Sequence, residues 1–393
     1  MRIPFLRAAS LLALVGLGGA VELQAQSSMF GTRAVGFPSR WLSARARASA
    51  GAFGIFDPLS GLNPAALSQT TRVAVNFVAT PGSRHWETPN GDATLKETRF
   101  PMAGLVGPIP KHPFWLGINF GSYADRDFRL FTSDTIQVQG PPVGPIDSAV
   151  VFDTLQSLGG MNEIRLAVAY DKLRGTSLGG AFYLLTGSSR IDARRSFDDS
   201  AFAHIRQTAE LSFSGVGFAV GIVQQVTRGF RIAASVRSDG SATVKQDSSE
   251  TASGHIDLPY TFAGGMELTL NKKLTAAAQG VYRTWSGANS DLLELGGIGS
   301  INSWDLSLGA EYRTNLKRPT QLPIRFGARY ARLPFPLATD GTPDEFSVTG
   351  GTGLRFANDR AGVDLSLERA WRKQDGGYKE QAWLLSVGVT VQP

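Results

Sequence analysis

From Thr71 to the C-terminus, apolar and polar residues alternate with a period of two. In the run Glu163-Ile164-Arg165-Leu166-Ala167-Val168-Ala169-Tyr170-Asp171, Ile164, Leu166, Val168 and Tyr170 share one face. Glu163, Arg165 and Asp171 fall on the other. Successive side chains of a strand point to opposite faces, so the run predicts a two-faced β-strand. The pattern recurs at Phe230–Arg237, Trp304–Arg313, Ile324–Tyr330 and Val363–Glu368. Alternation alone suits any half-buried antiparallel sheet, soluble sandwiches included. Two details point to a membrane barrel instead. Charges of both signs sit in mid-strand on the polar face: Arg165, Arg231, Arg237, Asp305, Glu311, Arg325, Arg329, Asp364 and Glu368. A wet or plugged lumen suits such charges, because they can pair there. The apolar face often ends in aromatic residues, among them Tyr170, Trp304, Tyr312 and Tyr330, as interfacial girdles do.

The punctuation between segments supports the same reading. Short turns are predicted at Pro108–Pro113, Leu173-Arg174, Arg228-Gly229, Asn271-Lys272, Leu316–Thr320 and Asn358-Asp359. They alternate with longer loops at Gly82–Glu97, Asp125–Gly160, Ser189–Phe213, Gln246–His255, Ser286–Ile301, Pro334–Asp344 and Lys373–Lys379. Short periplasmic turns and long extracellular loops give this rhythm, whereas Greek-key sandwiches have no reason to. The strand count comes to about 14, and closure is required because an open edge in hydrocarbon leaves backbone groups unpaired. The expected fold is all-β: a closed antiparallel transmembrane β-barrel over residues 71–393, with a small, partly helical N-terminal plug over 26–70.

Residues 1–25 read as a secretory signal peptide. Arg2 and Arg7 precede the apolar stretch Ala8–Ala20, and Ala20 or Ala25 precedes the cleavage point. The apolar stretch is shorter than the ~20 residues a spanning helix needs. Composition then removes other classes. Cys 0 excludes disulfides, thiolate metal sites and a cysteine nucleophile. The formal net charge of +6 is spread singly along the chain, with no basic run, so no nucleic-acid partner is expected. His85, His112, His204 and His255 fall in predicted turns and loops without ligand or triad spacing, so neither a metal nor catalysis is expected. Asp125, Asp127, Asp147 and Asp153 match no ordered calcium loop. Phosphate-loop and dinucleotide motifs are absent, and no cofactor is expected. Asn63-Pro64 has two compatible readings: a cap and first turn of a helix, or a contact holding the plug to the wall.

Several stretches resemble FadL-type outer-membrane transporters of hydrophobic compounds. They are Ala48-Ser49-Ala50-Gly51-Ala52-Phe53-Gly54 followed by Asn63-Pro64-Ala65-Ala66-Leu67, then Gly215–Gly221 with Val236-Arg237-Ser238, and Leu258–Gly265 with Tyr282–Ser286. Leu308–Arg313 and Arg325–Tyr330 also fit. The chain differs from that pattern at Leu62, and it ends Val391-Gln392-Pro393 rather than in an aromatic residue. The resemblance implies a 14-stranded barrel in the bacterial outer membrane, plugged near Asn63, Pro64 and Ala65. It implies passive transport of long-chain fatty acids or other hydrophobic small molecules, with outer-membrane lipid as the surroundings and a monomeric state. It further implies a lateral exit at a kink in the third strand, for which Gly117 and Gly121 are the candidates. Two alternatives stay open: a non-transporting barrel that is a scaffold or docking partner in protein export, and an open general porin.

Overall fold

The computed structural model describes residues 28–392 apart from 90, 140–145, 200–201, 247–252, 295–297, 318–321 and 340. The expected leader and the Gly140-Pro141-Pro142 stretch lie outside the described residues. A two-residue strand, β1 (Phe37–Pro38), comes first, followed by β2 (Ala74–Thr88), β3 (Gly91–Pro108), β4 (Phe114–Asp125), β5 (Phe128–Gln139) and β6 (Ile146–Leu173). Then come β7 (Thr176–Phe197), β8 (Ile205–Thr227), β9 (Phe230–Ser238), β10 (Ser241–Gln246), β11 (Ser253–Asp257) and β12 (Tyr260–Thr269). The series ends with β13 (Leu274–Arg283), β14 (Ser303–Tyr312), β15 (Ile324–Arg332), β16 (Asp344–Phe356), β17 (Ala361–Gln374) and β18 (Tyr378–Val391). All pairings are antiparallel, and β18 pairs with β2 from Lys379↔Glu87 to Val391↔Val75, which closes the sheet. β4 and β5 both run along β6, β9 and β10 both run along β8, and β11 and β12 face β10 and β9 in turn. Each pair is therefore one long strand with a break, and the barrel has 14 strands.

The alternation sorts side chains as the sequence pattern requires. Leu308, Phe326 and Leu367 are exposed on the outside, whereas their polar neighbours Ser307, Arg325, Ser366 and Glu368 are buried inside. On β16 the outward apolar positions run from Phe356 to Phe346. At ~3.3 Å per residue and a tilt near 40°, that is a band ~25 Å tall, the height of an outer-membrane barrel's apolar belt. Aromatic pairs mark both rims: Phe114–Tyr170 at the short-turn end, Trp304–Tyr330 and Phe346–Trp371 at the other.

The connections need a correction. Most stretches expected to be long loops are strand. In these stretches β2 and β3 pair up to Thr88↔Gly91, β7 and β8 up to Arg195↔Ile205, and β10 and β11 up to Lys245↔Ser253. β5 and β6 likewise pair out to Gln139↔Ile146. These extensions rise above the apolar band, where the outer face meets water and, beyond the belt, the inner face does too. Alternation is no longer selected there, so the sequence reads as loop although the backbone ladder continues. Ser286–Ile301 and Pro334–Asp344 remain mostly irregular, the former with a short helix at Asn289–Glu294.

Residues 28–70 fold inside the barrel as short turns rather than a regular domain. They include an α-turn at Ala44–Arg47 and 3₁₀ turns at Gly54–Phe56 and Pro64–Gln69. This inner segment is called the hatch below. Its free backbone groups are met by small inward side chains of the wall. Ser307 donates to Ala50 O at 3.0 Å, Thr349 to Ala48 O at 3.1 Å and Ser235 to Leu62 O at 2.9 Å. Gln279 Oε1 accepts from Ile55 N at 2.7 Å. The wall also approaches closely. A Cβ at Gly179 would strike the Pro64–Ala65 backbone, and one at Gly221 would strike Asn63. Here glycine is required by proximity, not by φ.

Candidate functional site: a broken seam above the hatch

The ladder between β3 and β4 is incomplete. It runs from Pro108↔Trp115 to Met102↔Gly121 and stops. Above that level β3 continues paired to β2 only, from Arg99 to Gly91. The freed edge of β4 is taken by β1, with Phe37↔Asp125 and Pro38↔Ala124. Local chemistry explains the break. Pro101 has no N–H to donate, so a ladder cannot pass through it on both edges. A bulge between Ser122 and Ala124 then turns β4. Gly36, with φ +103°, lets the hatch enter against the Asp125 carbonyl, where a side chain would not fit. Ser39 N donates to Tyr123 O at 2.9 Å and Trp41 Nε1 to Ser122 O at 2.8 Å, which completes the patch.

The two glycines proposed for a strand-three kink divide. Gly121 is the last residue paired with β3 and packs against Pro101 and Trp41. Gly117 sits in regular ladder, and its missing side chain leaves room for Leu67 of the hatch. Asn63 does two things at once: Oδ1 accepts from Ala65 N at 3.0 Å as a helix cap, and Nδ2 donates to Ile222 O of β8 at 3.1 Å. Pro64 and Ala65 follow it, buried against Gly179.

Arg99 spans the seam. Its guanidinium bonds Glu97 at 2.6 Å on its own strand and Asp125 at 2.5 Å on β4, and it lies 3.5 Å from Asp127. It ends a belt of inward charges. From Glu97 the belt passes to Arg84, Glu380, Arg372, Glu345, Arg329, Asp305 and Arg283. It thus crosses eight neighbouring strands from β3 round to β13. Buried ions need partners and bonds on most of their polar atoms, and alternation of sign supplies them.

The inward charges expected from the alternation all lie on the wall. Asp305 and Arg329 belong to the belt. Arg325 joins Glu311 and Asp364 at 2.8 Å each in a lower cluster, where Arg45 of the hatch reaches Glu311 at 3.3 Å. Glu368 holds Arg40 of the hatch at 2.5 Å. Arg231 bonds Glu267 at 2.6 Å, and Arg237 bonds both Glu163 and Asp239. Arg165 is fully buried with only Asn119 as a partner, at 3.0 Å. Of the acidic loop residues, Asp125 faces Arg99 and Asp153 bonds Arg195 at 2.7 Å. No cluster suited to a metal ion occurs among the described residues. Sequence reasoning missed Arg84, Glu97, Arg99, Glu345, Arg372 and Glu380. For Arg84 and Glu97 the signal lay in a stretch read as loop, although Arg84 and Trp86 continue the inward parity of β2; the other four each lie within two residues of a predicted loop's end.

Above the hatch the belt encloses a cavity with about 900 Å³ of open space, its mouth included. Eight arginines line it (Arg40, Arg47, Arg84, Arg99, Arg283, Arg329, Arg332 and Arg372) against four carboxylates (Glu97, Asp125, Asp305 and Glu345). Phe37, Pro38 and Pro101 of the seam form one side. A smaller chamber adjoins it, sharing Pro38, Ser39, Arg40 and Arg283, and is walled by Trp41, Tyr123 and Trp285.

The chain is thus a closed 14-stranded barrel with an inner hatch and a side seam. Among solved structures the chain is similar to a FadL homologue of Pseudomonas aeruginosa, with TM-score 0.64 and 14% identity over 91% of this chain and 99% of that one. It is similar to the monoaromatic hydrocarbon channel CymD, with TM-score 0.56 and 16% identity over 90% and 97%. It is also similar to the toluene transporter TbuX of Ralstonia pickettii, with TM-score 0.54 and 14% identity over 90% and 98%. No protein-family model and no curated protein matches by sequence. The chain therefore has the fold of the FadL-type outer-membrane channels.

Proposed function

We propose that this protein is a passive outer-membrane channel for hydrophobic small molecules, with the seam above Gly121 as the exit into the bilayer. The observation that carries the reading is the seam itself. A barrel must pair every backbone group that faces hydrocarbon, yet here one strand edge is covered by two hatch residues in place of a neighbouring strand. Ligand enters the arginine-lined cavity from outside, the hatch residues Phe37 and Pro38 withdraw, and the ligand leaves sideways. Burial of apolar surface drives the step, at about 0.8 kcal/mol per methylene. The site must also release what it binds. Two ligand classes suit this reading: long-chain fatty acids, from the sequence resemblance, and monoaromatic compounds, named for two of the similar channels. Residues 1–25 are a cleaved leader, residues 26–70 the plug and 71–393 the barrel, acting as a monomer without cofactor or metal.

The hatch argues against an open porin, since it fills the lumen from Ser43 to Thr70. Uptake of radiolabelled oleate and toluene into cells with and without the protein tests the proposal. Faster uptake of one of them supports it. Equal uptake of both removes transport for those two ligands and favours the export-scaffold alternative. Swelling of proteoliposomes in sugars reports the porin alternative, and none is expected.

A further inference from the structure

The smaller chamber beside the arginine cavity has a composition that neither a plain hydrocarbon nor an alkyl chain requires. Its aromatic walls come from three separate elements: Trp41 from the hatch, Tyr123 from β4 and Trp285 from the turn after β13. Their positions are fixed. Trp41 is held in left-handed backbone at φ +49°, with its carbonyl accepting from Gly61 N at 2.8 Å and its indole N–H donating to Ser122. Tyr123 donates to Asp239 at 3.1 Å. Trp285 is 1% exposed and packs edge-on against Phe335 at 4.9 Å between centroids. A non-glycine residue kept at positive φ costs about a kcal/mol or more and persists where the surroundings over-determine it.

The polar groups differ in how far they are committed. Arg237 is saturated, with Glu163 and Asp239 as partners and its guanidinium 3.7 Å above the Tyr183 ring. Among the described residues Arg283 pairs with Asp305 alone, at 3.3 Å, and Arg40 with Glu368 alone, its Nη1 buried and unbonded. The Trp285 indole N–H is buried without a partner. A buried donor left unmade costs about 1–3 kcal/mol, so such a group marks a place where an acceptor is wanted. Arg40 and Arg283 also line the arginine cavity, so they stand where the two spaces join.

We infer that the chamber is a binding site for an aromatic carboxylic acid, its ring between Trp41, Tyr123 and Trp285 and its carboxylate on Arg283 and Arg40. The inference rests on the channel reading and names the ligand class for it. Ring walls favour a planar ring through offset and edge-to-face contacts. An alkyl chain gains no such geometry and loses more rotamer freedom on binding. A neutral hydrocarbon would leave Arg40 Nη1 and the indole N–H unbonded and Arg283 with its one contact to Asp305. The carboxylate is met by charge-assisted bonds, the strongest kind available there.

Isothermal titration of the full chain in detergent with 3-phenylpropionate, octanoate and toluene tests this. Phenylpropionate is expected to bind about tenfold more tightly than either of the others. Trp285→Phe, which keeps a ring and removes the N–H, is expected to weaken phenylpropionate about two- to tenfold and leave toluene unchanged. Arg283→Gln is expected to erase the advantage over toluene, and Arg283→Lys to restore part of it should the glutamine variant fold poorly. Octanoate or toluene binding as tightly as phenylpropionate overturns the inference, even if uptake of either proceeds. Tight phenylpropionate binding without uptake of any ligand overturns the channel reading and leaves the site standing.

Discussion

The lumen has two halves built on opposite principles. Below Gly121 the wall meets the hatch through glycines and short hydroxyl side chains, and the two surfaces touch at backbone distance. Gly309 has Ser49 O 2.7 Å from where its Cβ would be, and Ser307 and Thr349 answer hatch carbonyls. Above Gly121 the wall carries long charged side chains in an alternating belt, and space is left between them. The lower half is close-packed where glycines and short side chains let the surfaces touch, and the Arg325–Glu311–Asp364 cluster with Arg45 fills another sector of it. The upper half is open because arginines and carboxylates stand off from the axis while neutralising one another. The seam in β3–β4 begins where the first arrangement gives way to the second. In this barrel the hatch therefore supplies the seal, and the belt supplies the shape and charge of the vestibule.

The largest effect is expected from locking the seam. The chain has Cys 0, so a Phe37→Cys, Asp125→Cys pair would be its only thiols, placed on directly opposed residues of β1 and β4. Oxidation is expected to lower uptake of a transported hydrophobic ligand by about tenfold or more, with recovery on reduction. Unchanged uptake of the oxidised form would mean that ligand leaves by another route. Next comes the belt. Glu345 lies between Arg329 and Arg372, all three buried. Glu345→Ala takes one carboxylate from each of two buried guanidinium groups, leaving Arg329 with Asp305 and Arg372 with Glu380, and a loss of about 3 kcal/mol is expected in denaturant unfolding. A loss under 1 kcal/mol would show that water solvates the belt and that its order is incidental.

Gly179→Val probes the lower half. The added atoms meet the Pro64–Ala65 backbone, which has no flexible end to yield. A destabilisation of about 1–3 kcal/mol is expected, as for overpacking elsewhere. Displacement of the hatch is expected to make proteoliposomes permeable to sugars, which the parent is not. An impermeable, equally stable variant would refute close packing as the basis of the seal.

How much of this could be read from the sequence follows the same division. The barrel was legible because hydrocarbon on one side and hatch or water on the other enforce parity, as Leu166, Val168 and Tyr170 against Arg165 show. The two duties of Asn63 were legible because a cap and a proline leave its amide one free end. The belt was not, since parity identifies a face and not a partner: Arg84 meets Glu380 across 296 residues. The seam was not, because it is a missing pairing, and a missing pairing leaves no periodicity. The extensions were not, because a stretch such as Arg129–Gln137 has water on both faces and loses the alternation that marks a strand.

Those extensions also give the smallest prediction, and a contrast with the belt. Asp192 on β7 lies above the apolar band and accepts hydrogen bonds from Arg194 and Arg206, which hold its carboxyl at about 2. A depressed folded-state value means that the interaction contributes above the ordinary carboxylate range. The contribution fades as pH falls from near 4 through about 2. The two arginines are largely in water, so the effect on global stability is expected to be slight. It should show locally, as faster proteolytic nicking of the β7–β8 extension by pepsin at pH 2 than at pH 4, beyond the protease's own pH response on an Asp192→Asn control. Equal protection of the two proteins would mean that backbone pairing alone holds the extension, and that charge matters only where the wall is buried.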